Sequence, residues 1–252
     1  MSVEIIAHRG YSARAPENTR SALERALEAG ATALEWDIQR SADGVPMVVH
    51  DETLERTTNG RGRVDAQTAA ALGRLDAGSW FAPEFAGEPL PTLGAVLDAV
   101  GPRAHRLYPE IKRGATPAEV DRILAEVEER GLIARTVFIS MDWDALNRIQ
   151  ARAPDAWVGY IVEAAERYAP ALAHVRDRPR ALLDPDWRIV LAETAVTEQV
   201  RAAGVPLAVW TVNDPADAER LAAAGVTRFT TNEVERLLDW AARRESEGAA
   251  PR

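Results

Sequence analysis

The sequence predicts an α/β protein built as a (β/α)8 TIM barrel, on three observations. Strand-like and helix-like patterns alternate from end to end, and about eight such pairs fit a chain of 252 residues. Several strand runs are apolar on both faces, as parallel strands covered by helices require. An open doubly wound sheet shares this periodicity, but no G-x-G-x-x-G follows the first strand run, which lowers the dinucleotide-binding version. Residues 1–252 are read as one barrel domain.

The elements follow in order. The first strand run is Glu4–Ala7. Asn18 or Thr19 then caps a helix whose stripe is Ala22, Leu23, Ala26 and Leu27, stopped by Gly30. Ala33–Ile38 is the second strand run, and Met47-Val48-Val49 is a short apolar run leading to His50. From Asp51 to Pro91 the rhythm breaks: Thr57-Thr58-Asn59-Gly60-Arg61-Gly62, Pro83, Gly87, Pro89 and Pro91 leave little helical periodicity. A loop of that length is uncommon in a compact domain and often functional, so it is read as an insertion capping one end of the barrel. Thr92 caps Leu93, Val96, Leu97 and Val100 before Gly101. After the strand run Leu107–Ile111, Thr116-Pro117-Ala118-Glu119 forms a capping box for Val120, Ile123, Leu124 and Val127, with Gly131 at the end. Val137–Ser140, Val158–Val162, Ala181–Leu183, Leu207–Val212 and Arg228–Thr231 complete the strand set. Asp214-Pro215 opens the helix of Ala218, Leu221 and Ala222 that stops at Gly225. The polar stretch 241–252 reads as a fraying helix end.

Composition narrows the function. Thirty basic against 39 acidic residues give a net charge of −9, which argues against a nucleic-acid surface. An anionic substrate must therefore be drawn in by a local cationic site. No apolar run approaches the ~18 residues of a membrane span, so membrane insertion is not expected. The chain enters a strand without a signal-peptide pattern, and the cytoplasm is the expected compartment. With no cysteine, disulfides, thiolate catalysis and thiolate metal ligands are excluded.

Barrel active sites gather at the C-terminal ends of strands, and polar residues recur there: His8, Glu35 with Asp37, Glu110 with Lys112, Trp210 and Asn213. Residues i and i+2 of a strand share a face, so Glu35 converges with Asp37 and Glu110 with Lys112. Carboxylates of this kind suit a hard divalent cation, Mg²⁺ or Ca²⁺; the alternative is an internal salt-bridge network. His8 and His50 are the candidate acid/base pair, whereas His105 and His174 read as structural. Arg9 could hold a phosphate oxygen bidentately and Lys112 could add a point charge. Trp210 offers an apolar wall or simply core packing; Pro16-Glu17-Asn18-Thr19 is either a loop-to-helix transition with a good cap or a run whose Glu17 orients a histidine. The segment Trp80-Phe81-Ala82-Pro83-Glu84-Phe85 is either an exposed lipid-facing loop or part of the insertion's own core.

The ordered set His8-Arg9-Gly10, Pro16-Glu17-Asn18-Thr19, Glu35-Trp36-Asp37, His50-Asp51, Arg56-Thr57-Thr58-Asn59-Gly60, Leu90-Pro91-Thr92-Leu93, Glu110-Ile111-Lys112 and Trp210-Thr211-Val212-Asn213 resembles the glycerophosphodiester phosphodiesterases, from Ile5 to about Leu238. The resemblance implies a TIM barrel with a small insertion after the second strand. It also implies hydrolysis of small-molecule glycerophosphodiesters to glycerol 3-phosphate and an alcohol. By position it implies Glu35, Asp37 and Glu110 as divalent-metal ligands, His8 and His50 as acid/base pair, and Arg9 and Lys112 as phosphate-contacting cations. A lipid-directed lysophospholipase D-like diesterase and a non-catalytic phosphodiester-binding barrel are the alternatives. Two segments depart from the family pattern. Tyr108-Pro109 precedes Glu110 in place of an aliphatic-Asn pair, and Thr231-Asn232-Glu233-Val234 stands where Thr-Asp-Pro is usual.

Overall fold

A computed structural model describes residues 3–248. Eight parallel strands form a nearly closed barrel: β1 (Glu4–Ala7), β2 (Ala33–Arg40), β4 (Arg106–Ile111), β5 (Val137–Ser140), β6 (Trp157–Val162), β7 (Ala181–Pro185), β8 (Ala208–Val209) and β9 (Arg228–Thr231). Their ladder order is β7-β6-β5-β4-β2-β1-β9-β8. Single bridges, Leu183 to Leu207 and Asp186 to Trp210, bring β7 and β8 together and close the ring. The extra strand β3 (Pro46–Val48) pairs antiparallel with β2, with Ile38 opposite Val48. It is a hairpin arm of β2 and no part of the ring.

The helices sit where their caps and stripes place them. In α1 (Arg20–Glu28) the cap is Thr19, whose side chain accepts from the Ala22 N–H, and Gly30 follows at φ 98°. Asn18, the other candidate, is turned to a different use described below. The cap at Thr92 and the capping box at Thr116 open α3 (Leu93–Val100) and α4 (Pro117–Glu128), and Asp214 caps α9 (Pro215–Ala223). Four further helices fill the second half: α5 (Trp143–Arg152), α6 (Tyr168–Val175), α7 (Trp187–Ala192) and α8 (Thr194–Ala202).

Two layers share the burial. Outside the strands, one large cluster runs from Ile5 and Leu34 through Leu97, Val127, Ile149 and Leu221. Inside the ring, Ile6, Ala33, Tyr108, Val137, Ile139, Ile161, Leu182 and Ala208 form a second, smaller cluster. Alternation therefore sends the next inward residues, two positions on, to the C-terminal mouth.

Three expectations need correction. The stretch from Asp51 to Pro91 is ordered: α2 (Ala69–Leu72) and two short 3-10 turns cover a cluster of Met47, Val49, Leu54, Val64, Leu72, Ala77 and Leu90. Short elements of three or four residues cannot show a helical period, which is why the sequence looked structureless. The strand read over Leu207–Val212 ends at Val209, because Trp210 bridges to the β7 side while the Val212 N–H bonds Thr230 on β9. The stretch read as fraying from residue 241 continues α10 (Val234–Gly248), where Ala241 is buried beside Trp240, itself edge-on to Phe229. Residues 249–252 of that stretch lie outside the described residues.

Candidate active site

The mouth of the barrel collects charge. Glu35 and Asp37 project from β2, and register sets Asp37 directly opposite Glu110 of β4. One oxygen from each of Glu35, Asp37 and Glu110 lies within 4.8 Å of the others, and Glu35 and Asp37 are fully buried. Lys112, two residues beyond Glu110, places Nζ 2.5 Å from Asp37 and 2.7 Å from Glu110. Arg9 lies across the cluster, with Nε 3.0 Å from Asp37 and Nη1 2.8 Å from Glu17, while its backbone N–H donates to Glu35. Asn18 adds a side-chain N–H to Asp37, and its own Oδ1 accepts from the Asp37 backbone. The left-handed φ of 55° at Arg9 and 59° at Asn18 turns both groups inward.

The electrostatics are uneven. Burial, with Asp37 and Glu110 alongside, pushes Glu35 well above the usual carboxylate range. Burial and Asp37 also push Glu110 up to about 7 against the pull of Lys112. Burial would raise Asp37 as well, but Lys112 and Arg9 hold it below its ordinary value. Two cations thus fall short of balancing three acids. Asp37 Oδ1 is met by Lys112 Nζ, whereas Glu35 Oε1 is buried without a hydrogen-bond donor. A buried orphan oxygen within a cluster of three carboxylates is what a hard cation satisfies, so the residues fit a divalent metal.

Both histidines reach the same cavity by different routes. His8 follows β1, and its Nδ1 is 2.7 Å from Asn232 Oδ1; Nε2 is 4.0 Å from Glu35. Burial first, and Arg9 second, lower its pKa to about 4. His50 is returned to the depth of Asp37 by the β2–β3 hairpin, where the Val49 N–H bonds the Asp37 carbonyl. Its Nδ1 is 2.6 Å from Asp51 Oδ1. Burial lowers this imidazole too, while the Asp37 charge and the Asp51 bond oppose the drop. The cavity, about 80 Å³, is walled by His8, Arg9, Glu35, His50, Glu110 and Lys112 on one side and by Ile139, Met141, Ile161, Asp184, Trp210 and Thr230 on the other.

All eight residues singled out for the site therefore meet at one mouth: His8, Arg9, Glu35, Asp37, His50, Glu110, Lys112 and Trp210. Glu17 contacts no histidine; its partners are Arg9 and Arg56, and Arg56 continues to Asp51. An alternating chain of charges thus links Asp37 to His50. His105 is exposed, and His174 stacks on Trp143 at 4.7 Å away from the mouth. Trp80 is the one exposed large hydrophobic side chain among the described residues, while Phe81 and Phe85 pack on Ala15 and Ala22 of the barrel. That segment belongs to neither an open lipid-facing patch nor the insertion's own core. Asn232 and Asp184 went unassigned in the sequence. The departure from Thr-Asp-Pro marked the first, and the period of two from Leu182 would have marked the second.

A barrel with an acidic, histidine-flanked cavity at the C-terminal ends of its strands is the arrangement of a hydrolase acting on phosphorylated substrates. The profile of the glycerophosphoryl diester phosphodiesterase family matches residues 8–236, and the chain belongs to that family. It is 35% identical over 95% of its length to a glycerophosphodiester phosphodiesterase of Caldanaerobacter subterraneus, 98% of which is covered. A crystal structure of a glycerophosphodiester phosphodiesterase from Agrobacterium tumefaciens superposes with TM-score 0.77 at 31% identity, covering 95% of this chain and 99% of that one. A phosphodiesterase of Oleispira antarctica, solved with its product sn-glycerol-3-phosphate, gives TM-score 0.87 at 28% identity, covering 96% and 97%.

Proposed function

We propose that this protein hydrolyses water-soluble glycerophosphodiesters to sn-glycerol 3-phosphate and an alcohol. The observation that carries the reading is the pair of tethered imidazoles, each with Nδ1 fixed at 2.6–2.7 Å, on either side of a three-carboxylate cluster. Glu35, Asp37 and Glu110 would hold Mg²⁺ or Ca²⁺, which when bound supplies charge neutralisation for the phosphate oxygens.

The chain's own groups supply the rest. Arg9 spends two of its five donors on Asp37 and Glu17, and Lys112 spends two of three on Asp37 and Glu110. The remaining N–H groups bind and orient the phosphate diester. His8, kept neutral by burial and by Arg9, takes a proton at Nε2 from the nucleophile. That nucleophile is water or the substrate's own glycerol 2-hydroxyl, the latter by way of a cyclic phosphate. His50, supported by the Asp51 carboxylate, protonates the leaving alkoxide. The packing of Phe81 and Phe85 against the barrel removes the apolar loop that a lipid-directed diesterase would need.

The test is release of glycerol 3-phosphate from glycerophosphocholine, measured with added Mg²⁺ or Ca²⁺ and after exhaustive chelation. Product release that stops on chelation and returns with the cation is expected. Unchanged turnover in excess EDTA would remove the metal from the reading, and no glycerol 3-phosphate under any condition would remove the reading itself.

A further inference from the structure

Asp184 is the ionisable side chain at the mouth that this chemistry leaves unused. It lies on β7, two residues beyond inward-facing Leu182, and register sets it beside Ile161 of β6. The same alternation that turns Glu35 and Glu110 inward turns it into the cavity, on a largely apolar wall of Ile139, Met141, Ile161 and Trp210 with Thr230. It is 97% buried, being only 3% exposed. Its Oδ1 has no hydrogen-bond partner. The neighbouring Trp210 cannot serve, because its indole N–H is committed to the Asp184 backbone carbonyl at 2.8 Å. A buried polar atom left unpaired costs about 1–3 kcal/mol, so an orphan oxygen facing a cavity marks a place where a ligand group is meant to bond.

The shape of the site selects the ligand group. The cations and the carboxylate triad occupy the β1, β2 and β4 side, so the phosphate belongs there and Asp184 lies across the cavity from it. The cavity is small, about 80 Å³, so the wall that carries Asp184 stands close to whatever the cation side holds. Every glycerophosphodiester shares its glycerol and differs in its alcohol, so a fixed, buried polar group is suited to reading the constant half. A carboxyl bonds a hydroxyl in either charge state, accepting when ionised and donating when protonated. Ile161 beside it and Trp210, whose N–H is already committed, offer that hydroxyl no partner of their own.

We infer that Asp184 is a specificity-determining residue that hydrogen-bonds a glycerol hydroxyl of the substrate, with Trp210 and Ile161 flanking the carbon chain. This inference rests on the glycerophosphodiesterase reading and assigns one half of the substrate to one wall of the barrel. A site built to bond a hydroxyl rejects an analogue that lacks it, because its own polar group is then left unpaired.

The test compares two ligands on the Mg²⁺-loaded protein by calorimetry: sn-glycerol 3-phosphate and n-propyl phosphate, which has the same carbon chain without hydroxyls. The wild type is expected to prefer glycerol 3-phosphate by about tenfold or more. In Asp184→Ala, and in Asp184→Val, which is closer in volume, that preference should fall to about threefold or less while the affinity for propyl phosphate stays within about twofold. Asp184→Asn, still able to bond a hydroxyl, should recover part of it. The inference is overturned if the wild type shows no preference, if the preference survives in both apolar variants, or if both ligands weaken equally, which would assign Asp184 to the phosphate or cation side. The readout is binding of product, so it stands apart from turnover: failure to release glycerol 3-phosphate from glycerophosphocholine overturns the functional reading, not the hydroxyl contact.

Discussion

His8 and Asn232 are joined across 224 residues by a 2.7 Å contact from Nδ1 to Oδ1, whereas His50 makes the equivalent contact to a carboxylate, Asp51, at 2.6 Å. Both partners fix the tautomer that carries the proton on Nδ1 and leaves Nε2 for substrate. The two imidazoles differ in the charge behind them. A neutral amide does little to hold a proton on His8, while a carboxylate helps to hold one on His50. That asymmetry suits a base and an acid in one site.

Asn232→Asp should therefore raise the His8 pKa from about 4. His8 must be neutral to accept a proton, so the acidic limb of kcat/KM should move to higher pH while the alkaline side changes little. A pH–rate profile of the variant checks this, and an unmoved acidic limb contradicts the role given to His8. His8→Ala and His50→Ala should each lower kcat by about 10²–10⁴-fold without shifting the melting temperature by more than a few degrees. Near-wild-type kcat in either variant would end the two-histidine assignment.

Glu35→Gln separates stability from binding. The variant removes one of three crowded acids, so the chelated protein should melt no lower than chelated wild type, despite losing activity. In the wild type, Mg²⁺ or Ca²⁺ should raise the melting temperature by mass action, and in the variant that rise should shrink or vanish. A cation-induced shift as large in Glu35→Gln as in wild type would exclude Glu35 as a ligand.

Chelated protein should lose stability as the pH rises. Burial and Asp37 put Glu110 at about 7, and burial with Glu110 nearby puts Asp184 at about 8, both above their unfolded values. Groups with raised folded pKa values stabilise fully below the unfolded pKa and lose that contribution as the pH rises through the folded one. His8 acts oppositely, since its lowered pKa costs stability as the pH falls from about 6.5 towards 4. Between about pH 6.5 and 8 the acids are unopposed by His8. Melting curves across that window should fall in EDTA and flatten when a saturating cation is present. A rise in EDTA would contradict the acidic cluster's pKa pattern.

Gly10 holds the first loop against α1. It has φ 80°, and a Cβ there would stand 2.4 Å from the Ala22 backbone carbon. Gly10→Ala should cost about 2–5 kcal/mol from strain and overpacking together. At this chain length that is a fall of roughly 4–20 °C in melting temperature. Because Arg9 and the helix cap move with that loop, kcat/KM should drop in the protein that remains folded. A melting temperature unchanged from wild type would show that the loop can shift at no cost.

Much of the fold and of the candidate site is legible in the sequence. The strand and helix alternation carries the α/β class, since apolar runs and caps are local chemistry, the ordered motifs narrow it to the barrel, and the period of two aims Glu35, Asp37, Glu110 and Lys112 at a common end. The strand run around Trp210 was overextended because residue types there favour a strand, while the backbone bonds divide between β7 and β9. The Asp51–Pro91 segment hid its order because its apolar residues close on each other over turns too short to show a period.

The sequence by itself determined the barrel, its acidic and histidine-bearing strand ends, and the lack of any cysteine to do the chemistry instead. Only the tertiary structure decided who faces whom: Asn232 behind His8, Asp51 behind His50, Arg9 and Lys112 between carboxylates, and Asp184 alone on the apolar wall. The physical reason is distance along the chain. A strand's period fixes which way a side chain points, but the closure of eight strands into a ring fixes what it meets there.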